Sequence, residues 1–251
     1  VLAVVTTMTM FTGCGGAGST SASTKSITIQ GGNTEGDLDP AGVALGMFIQ
    51  YSRLCLEPLI TYDSDGKVGK AMAESYEESS DGLTWTFHLR KDAKWSDGSA
   101  VTSADFVNTI KRSLDGKTSK SIYADMLSPI VGATEAYAGT ASVDNVGVTA
   151  PDDYTIEFKL VKPCSYFLKL IAMQCCYPSK AGIATNENET WYTDPKTNLA
   201  NGAFYMTEYV QGQYYKLKKN PNYYDADKVY LEDITVKFID DATAAVSAYK
   251  T

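Results

Sequence analysis

Charge is missing from the first 24 residues: all 22 basic and 30 acidic groups of this 251-residue chain lie at or beyond Lys25. Histidine is almost absent as well. His88 stands alone, with no Cys or His at metal-ligand spacing, which argues for a structural or surface role. No Gly-x-Ser-x-Gly elbow and no Gly-x-x-x-x-Gly-Lys-Ser/Thr phosphate loop occurs, so two common catalytic frameworks are missing. Clusters of Lys and Arg are lacking too, and a net charge of -8 with a pI near 4.7 excludes a nucleic-acid groove. What remains is 44% hydrophobic and 21% charged, an ordinary globular balance. At roughly 150 residues per domain, the length suits one or two domains.

The uncharged start needs its own explanation. Its apolar character ends at Phe11, short of the roughly 20 consecutive residues a spanning helix requires. Residues 1–13 read instead as the remnant of a signal peptide. Phe11-Thr12-Gly13-Cys14 resembles the lipobox of bacterial lipoproteins, with Phe11 where Leu is usual. The resemblance implies that the mature chain starts at a lipidated Cys14. Small, uncharged residues follow to Thr24, and the stretch as far as Lys25 forms a flexible tether.

From Ser26 onward, short apolar alternations predict a mixed α/β protein rich in strands. Ile27 and Ile29 mark a first strand, and Leu45, Phe48, Ile49, Ser52, Leu56 and Leu59 predict a helix stopped by Pro58. Asp63-Ser64-Asp65-Gly66 makes a hairpin-like turn. Trp85, Phe87 and Leu89 alternate with Thr84, Thr86, His88 and Arg90, the pattern of a half-buried strand. Thr102 and Asp105 form a capping arrangement ahead of a helix with Phe106, Val107 and Ile110 on one face, ending near Gly116. Further strands are expected around Tyr154–Leu160, Phe204–Met206, Tyr214–Leu217 and Ile234–Phe238, and a helix over 242–251.

One catalytic reading is weak, and the cysteines stay open. Glu77-Glu78, Asp152-Asp153 and Asp240-Asp241 could serve a glycosidase, but each is expected in a turn, where neighbouring carboxylates are solvated. Cys55, Cys164, Cys175 and Cys176 leave two possibilities: a disulfide from Cys164 to Cys175 or Cys176, or buried free thiols. The 17 Tyr, twice the Phe count, suit a wet recognition surface or a strand-rich core equally.

Several linear motifs are more specific. Ala73-Glu74-Ser75-Tyr76, Asp81–Arg90 and Lys94-Trp95-Ser96-Asp97-Gly98 resemble the signature of oligopeptide-binding lipoproteins of bacterial ABC importers, the extracellular solute-binding proteins of family 5. Leu38-Asp39-Pro40, Leu56-Glu57-Pro58-Leu59, Asn201-Gly202-Ala203-Phe204 and Lys219–Asp225 agree in order and spacing. The resemblance covers nearly all of residues 27–250 and reaches only the amino-terminal half of the family pattern. The motifs themselves are turns and strands, and read as scaffold.

The resemblance implies a type II periplasmic-binding-protein-like α/β fold of the three-domain, peptide-binding subclass. Domain I would comprise 26–56 and 179–251, domain II would comprise 57–178, and domain III would lie outside this sequence. It implies a monomeric binder without catalysis, cofactor or metal, anchored through lipid on the extracytoplasmic face of the membrane. Its partners would be short peptides and ABC permease subunits. The broader family also takes dipeptides, nickel, haem and some sugars. Ligand contacts would come from the backbone of Ala41, Gly42, Val43, Ala44, Leu45, Gly46 and Met47, and from the aromatic ring of Tyr123. Ala44 replaces an acidic residue of one relative, and the carboxylate expected to hold a peptide's amino terminus would lie beyond residue 251.

Overall fold

The computed structural model describes residues 25–31, 38–42, 47–119, 121–188, 190–239 and 241–250. In chain order the first strands are β1 (Ser26–Gly31), β2 (Ile60–Tyr62), β3 (Val68–Lys70), β4 (Ala73–Glu78) and β5 (Thr84–Leu89). They are followed by β6 (Val148–Asp152), β7 (Thr155–Lys159), β8 (Phe204–Val210), β9 (Tyr214–Lys219) and β10 (Asp233–Phe238). The helices are α1 (Met47–Cys55), α2 (Ser103–Leu114), α3 (Ala133–Tyr137), α4 (Phe167–Ile171) and α5 (Ala242–Lys250).

Two four-stranded sheets result, in the orders β1-β10-β9-β8 and β4-β5-β7-β6, with β2 and β3 as a separate hairpin. The second sheet is antiparallel throughout and assembles entirely from residues 73–159. The first joins distant segments, because β1 lies parallel to β10 with Ser26 opposite Asp233. No helix among the described residues is long and apolar enough to cross a membrane.

Alternation explains β5. Trp85, Phe87 and Leu89 are buried while His88 is exposed, and Trp85 pairs with Phe158 across β7. Phe158 then meets Phe87 at 5.7 Å and Phe167 of α4 at 5.3 Å, both edge-on. Such contacts add about 0.5–1.5 kcal/mol each beyond area burial. The acidic pair Glu77-Glu78 lies within β4, not in a turn as its sequence suggested. Edge-strand register with β5 spaces these two side chains to opposite faces, which a turn would not do. His88 Nε2 stands 3.7 Å from Glu77 Oε1 on the exposed side.

The expected cap of α2 is present and does more than cap. The Asp105 carboxylate accepts from Thr102 N at 2.9 Å, from Trp95 Nε1 at 2.9 Å and from Ala181 N at 2.9 Å. One buried acid thus ties the helix start to the 95–99 turn and to a segment some 76 residues later. Phe106 and Ile110 are buried on the inner face, with Val107 only half-buried at its flank. Gly98 adopts a φ of 87°, a left-handed turn that a Cβ would strain.

The first helix is shorter than its apolar period implied. It ends at Cys55, before Pro58. Proline disfavours helical geometry at Glu57, and the backbone there is claimed by another segment. Asn201 Oδ1 accepts from Glu57 N at 2.9 Å, and its Nδ2 donates to Glu57 O at 3.1 Å. Gly202 N donates to Cys55 O at 2.9 Å. Nearby, Asn220 Nδ2 donates to Gly202 O at 2.9 Å and Asn222 Nδ2 to Ser96 O at 3.1 Å. The Asn-Gly and Asn-Pro-Asn motifs therefore build the junction where the two sheets' segments meet. Their scaffold role follows from these bonds. Cys55, Cys164, Cys175 and Cys176 are all buried free thiols, so the disulfide alternative fails.

Candidate functional site

The stretch expected to meet a ligand begins in a turn at 39–42. Leu38 is buried at 1% exposure and anchors it. Ala41 N donates to Asp39 Oδ1 at 2.9 Å, and Gly42 N donates to Asp39 O at 3.0 Å. Asp is suited to this, since its short carboxylate folds back on the amide two residues on. The second oxygen of Asp39 pairs with Arg112 Nη2, in the last turn of α2. Ala41 and Gly42 are thus placed by a turn that α2 holds. Val43, Ala44, Leu45 and Gly46 lie outside the described residues, as does Cys14. Met47 is the first residue of α1.

Tyr123 occupies a different element that also leans on α2. It precedes a short 3-10 turn, Ala124–Leu127, and is half-buried against the core. Its neighbours Ile122 and Met126 are 59% and 45% exposed, an apolar lip on that turn. The 3-10 turn packs on α2, so one helix carries both the 39–42 turn and the Tyr123 segment. An open groove of about 570 Å³ lies elsewhere, lined by Pro129, Val131, Gly132, Glu135, Lys162 and Tyr166. None of the expected contact residues lines it. Among the described residues no group of three His, Cys, Asp or Glu is placed to hold a metal ion.

The arrangement the sequence did not reveal is the cluster around Arg112, which draws on Asp39, Ser179 and Asn186. Leu38-Asp39-Pro40 was visible as a motif, but a partner 73 positions away leaves no local signal.

A second cluster braces the junction. Glu57 Oε1 accepts from both Tyr223 Oη and Tyr224 Oη at 2.8 Å, and the Arg90 guanidinium sits 3.2 Å over the Tyr224 ring. Burial, and then the Glu57 charge, raise both phenols: Tyr224 is pushed up to about 12, and Tyr223 higher still. Burial also raises the Cys55 thiol far above its ordinary value. The unfolded chain would release these protons near the ordinary values of 10.0 for tyrosine and 9.0 for cysteine. Because the folded pKa values are raised, stability is fully present below pH 9.0 and is lost as pH climbs through 10.0 toward 12. Urea midpoints measured under reducing conditions should fall over that window. Tyr224→Phe should flatten the decline above pH 10.0, and an unchanged decline would contradict the assignment.

Comparison with known proteins agrees with this architecture. Residues 67–251 match the profile of the bacterial extracellular solute-binding proteins, family 5 Middle. The periplasmic oligopeptide-binding protein OppA of Escherichia coli (strain K12) is 34% identical over 237 residues, 94% of this chain and 43% of its own. The oligopeptide-binding protein OppA of Bacillus subtilis (strain 168) is 35% identical over 199 residues, 79% of this chain and 36% of its own. In structure, the substrate-binding domain of an oligopeptide ABC transporter from Bacillus anthracis superimposes with a TM-score of 0.83 at 33% identity, covering 91% of this chain and 44% of that one. OppA of Listeria monocytogenes bound to peptide gives 0.80 at 28%, covering 90% and 44%. The chain therefore spans less than half the length of these relatives, and its mixed α/β architecture is that of the type II peptide-binding proteins. By profile, sequence and fold, the chain belongs to the bacterial extracellular solute-binding proteins of family 5.

Proposed function

We propose that this chain takes part in capturing short peptides outside the cytoplasmic membrane and delivering them to the permease of an ABC importer. The observation that carries this reading is the 34% identity over 94% of the chain to an oligopeptide-binding protein. The peptide-bound Listeria structure supports it at a TM-score of 0.80. The work is binding and domain closure, with no bond made or broken. An extended peptide is held through backbone groups of 41–47 and against Tyr123, with its side chains left in wet pockets.

Domain I comprises 26–56 and 179–251, and domain II comprises 57–178. The two sheets support that division, because one draws β1 together with β8–β10 and the other lies wholly within 73–159. Cys14 carries lipid that tethers a monomer to the membrane surface, where two or more acyl chains suffice for stable anchoring. Mass spectrometry of protein from its native membrane should find an acylated amino terminus at Cys14, and Cys14→Ser should release a folded protein. An unmodified start elsewhere would refute the anchor.

Isothermal titration of the protein as its host makes it, with mixed di- to pentapeptides, should saturate in the micromolar range or below. One relative, a probable deoxycholate-binding periplasmic protein of Escherichia coli (strain K12), is 32% identical over 86% of this chain. Deoxycholate is therefore the competing titrant. Saturation by deoxycholate with no peptide response would replace the ligand class and leave the fold untouched.

A further inference from the structure

One guanidinium holds the 39–42 turn from outside. Arg112 is only 7% exposed, and three of its nitrogens are engaged. Nη2 donates to Asp39 Oδ2, Nη1 to Ser179 Oγ at 3.1 Å and Nε to Asn186 Oδ1 at 3.1 Å. Asn186 Nδ2 returns a bond to Arg112 O at 3.1 Å, and the Trp191 ring lies 5.6 Å from the guanidinium. Two segments far from α2 in sequence, at Asp39 and over Ser179–Trp191, thus converge on one side chain.

A buried ion pair is a poor device for stability alone, since well-packed apolar groups of similar volume often do as well or better. Its geometry shows what else it accomplishes. The Asp39 carboxylate receives a donor from α2 on one oxygen and the Ala41 amide on the other. Rotating that carboxylate would break both bonds and redirect the chain at Ala41 and Gly42. Lysine could replace the charge of Arg112 but not its planar fork.

We propose that Arg112 is a positioning residue for ligand capture: through Asp39 it sets the backbone of Ala41 and Gly42 in its receiving geometry without touching the ligand. The proposal rests on the reading above, in which that backbone meets the peptide. If the receiving geometry were populated only a tenth of the time, apparent affinity would fall about tenfold.

The test uses the whole protein as its host makes it, with Arg112→Lys, and with Asn186→Ala as a milder variant that unloads only Nε. Phe158→Leu, a core change in the second sheet, serves as a control for lost stability. The readouts are the Kd of a tripeptide that saturates the parental protein and ligand-free hydrogen exchange at Ala41, Gly42 and β5. Arg112→Lys should raise Kd about tenfold and remove protection selectively from Ala41 and Gly42. Asn186→Ala should move both readouts in the same direction by less, and Phe158→Leu should leave Kd unchanged at an equal or larger fall in melting temperature. Parental Kd and protection in both Arg112→Lys and Asn186→Ala would overturn the proposal, as would a Kd rise in Phe158→Leu matching that of Arg112→Lys. Should Arg112→Lys not fold, Asn186→Ala decides by the same two readouts. If the parental protein binds no peptide, the proposed ligand fails separately, and exchange decides alone: selective loss at Ala41 and Gly42 supports positioning, and uniform or absent loss overturns it.

Discussion

Trp85→Ala is expected to lower the unfolding free energy by about 3–5 kcal/mol. The indole is 7% exposed, lies stacked 6.5 Å from Phe87 and packs 5.6 Å from Phe167. Truncation would open a cavity between β5 and α4 that rigid aromatic neighbours cannot close. The Nε1 donor has no hydrogen-bond partner, so Trp85→Phe should cost much less: it keeps a ring and removes a buried group that is already unsatisfied. Thr86 points to the opposite face, and Thr86→Ala should stay within about 0.5 kcal/mol. Denaturant midpoints at unchanged slope provide the measurement. Equal shifts for Trp85→Ala and Thr86→Ala would show the faces to be wrongly assigned.

The junction should be nearly as sensitive. Asn201 is 1% exposed and satisfies both backbone groups of Glu57, 144 residues away. Asn201→Ala strands a donor and an acceptor together, for a loss of about 2–4 kcal/mol. Asn201→Asp keeps the acceptor but buries a carboxylate against the Glu57 carbonyl, and should cost at least as much. The next residue has no slack either. A Cβ on Gly202 would stand 2.7 Å from the carbonyl carbon of Cys55, which is backbone and cannot swing aside. Gly202→Ala should therefore destabilise as strongly as Asn201→Ala. A melting temperature unchanged in either variant would mean that the junction is not the brace described.

What could be read from residues alone divides by distance. Trp85, Phe87 and Leu89 declare their strand because a period of two is a local property. Thr102 and Asp105 declare a helix start for the same reason, since a cap spans one turn. The other bonds of Asp105, to Trp95 and Ala181, were not legible. The end of α1 was legible as the Pro58 stop, but not its place at Cys55, where the chain leaves the helix as Asn201 and Gly202 arrive from elsewhere. The site shows the same limit. Ala41 and Gly42 came from a motif resemblance, whereas Arg112 gave no sign of its role, because its partners at 39, 179 and 186 meet only in space.

The parallel pairing of β1 with β10 also sets an order of events during folding. The β4–β7 sheet closes within residues 73–159 and can form as soon as that span is free. β1 must wait for a ladder partner that follows more than 200 residues later, so the entropy of closing that loop is met only after the β4–β7 sheet can form. An emerging chain therefore carries β1 without this ladder until Asp233–Phe238 has followed. In a refolding pulse-labelling experiment, amides of β5 and β7 should become protected before those of β1. The strand that leads in sequence would then lock after the sheet that follows it.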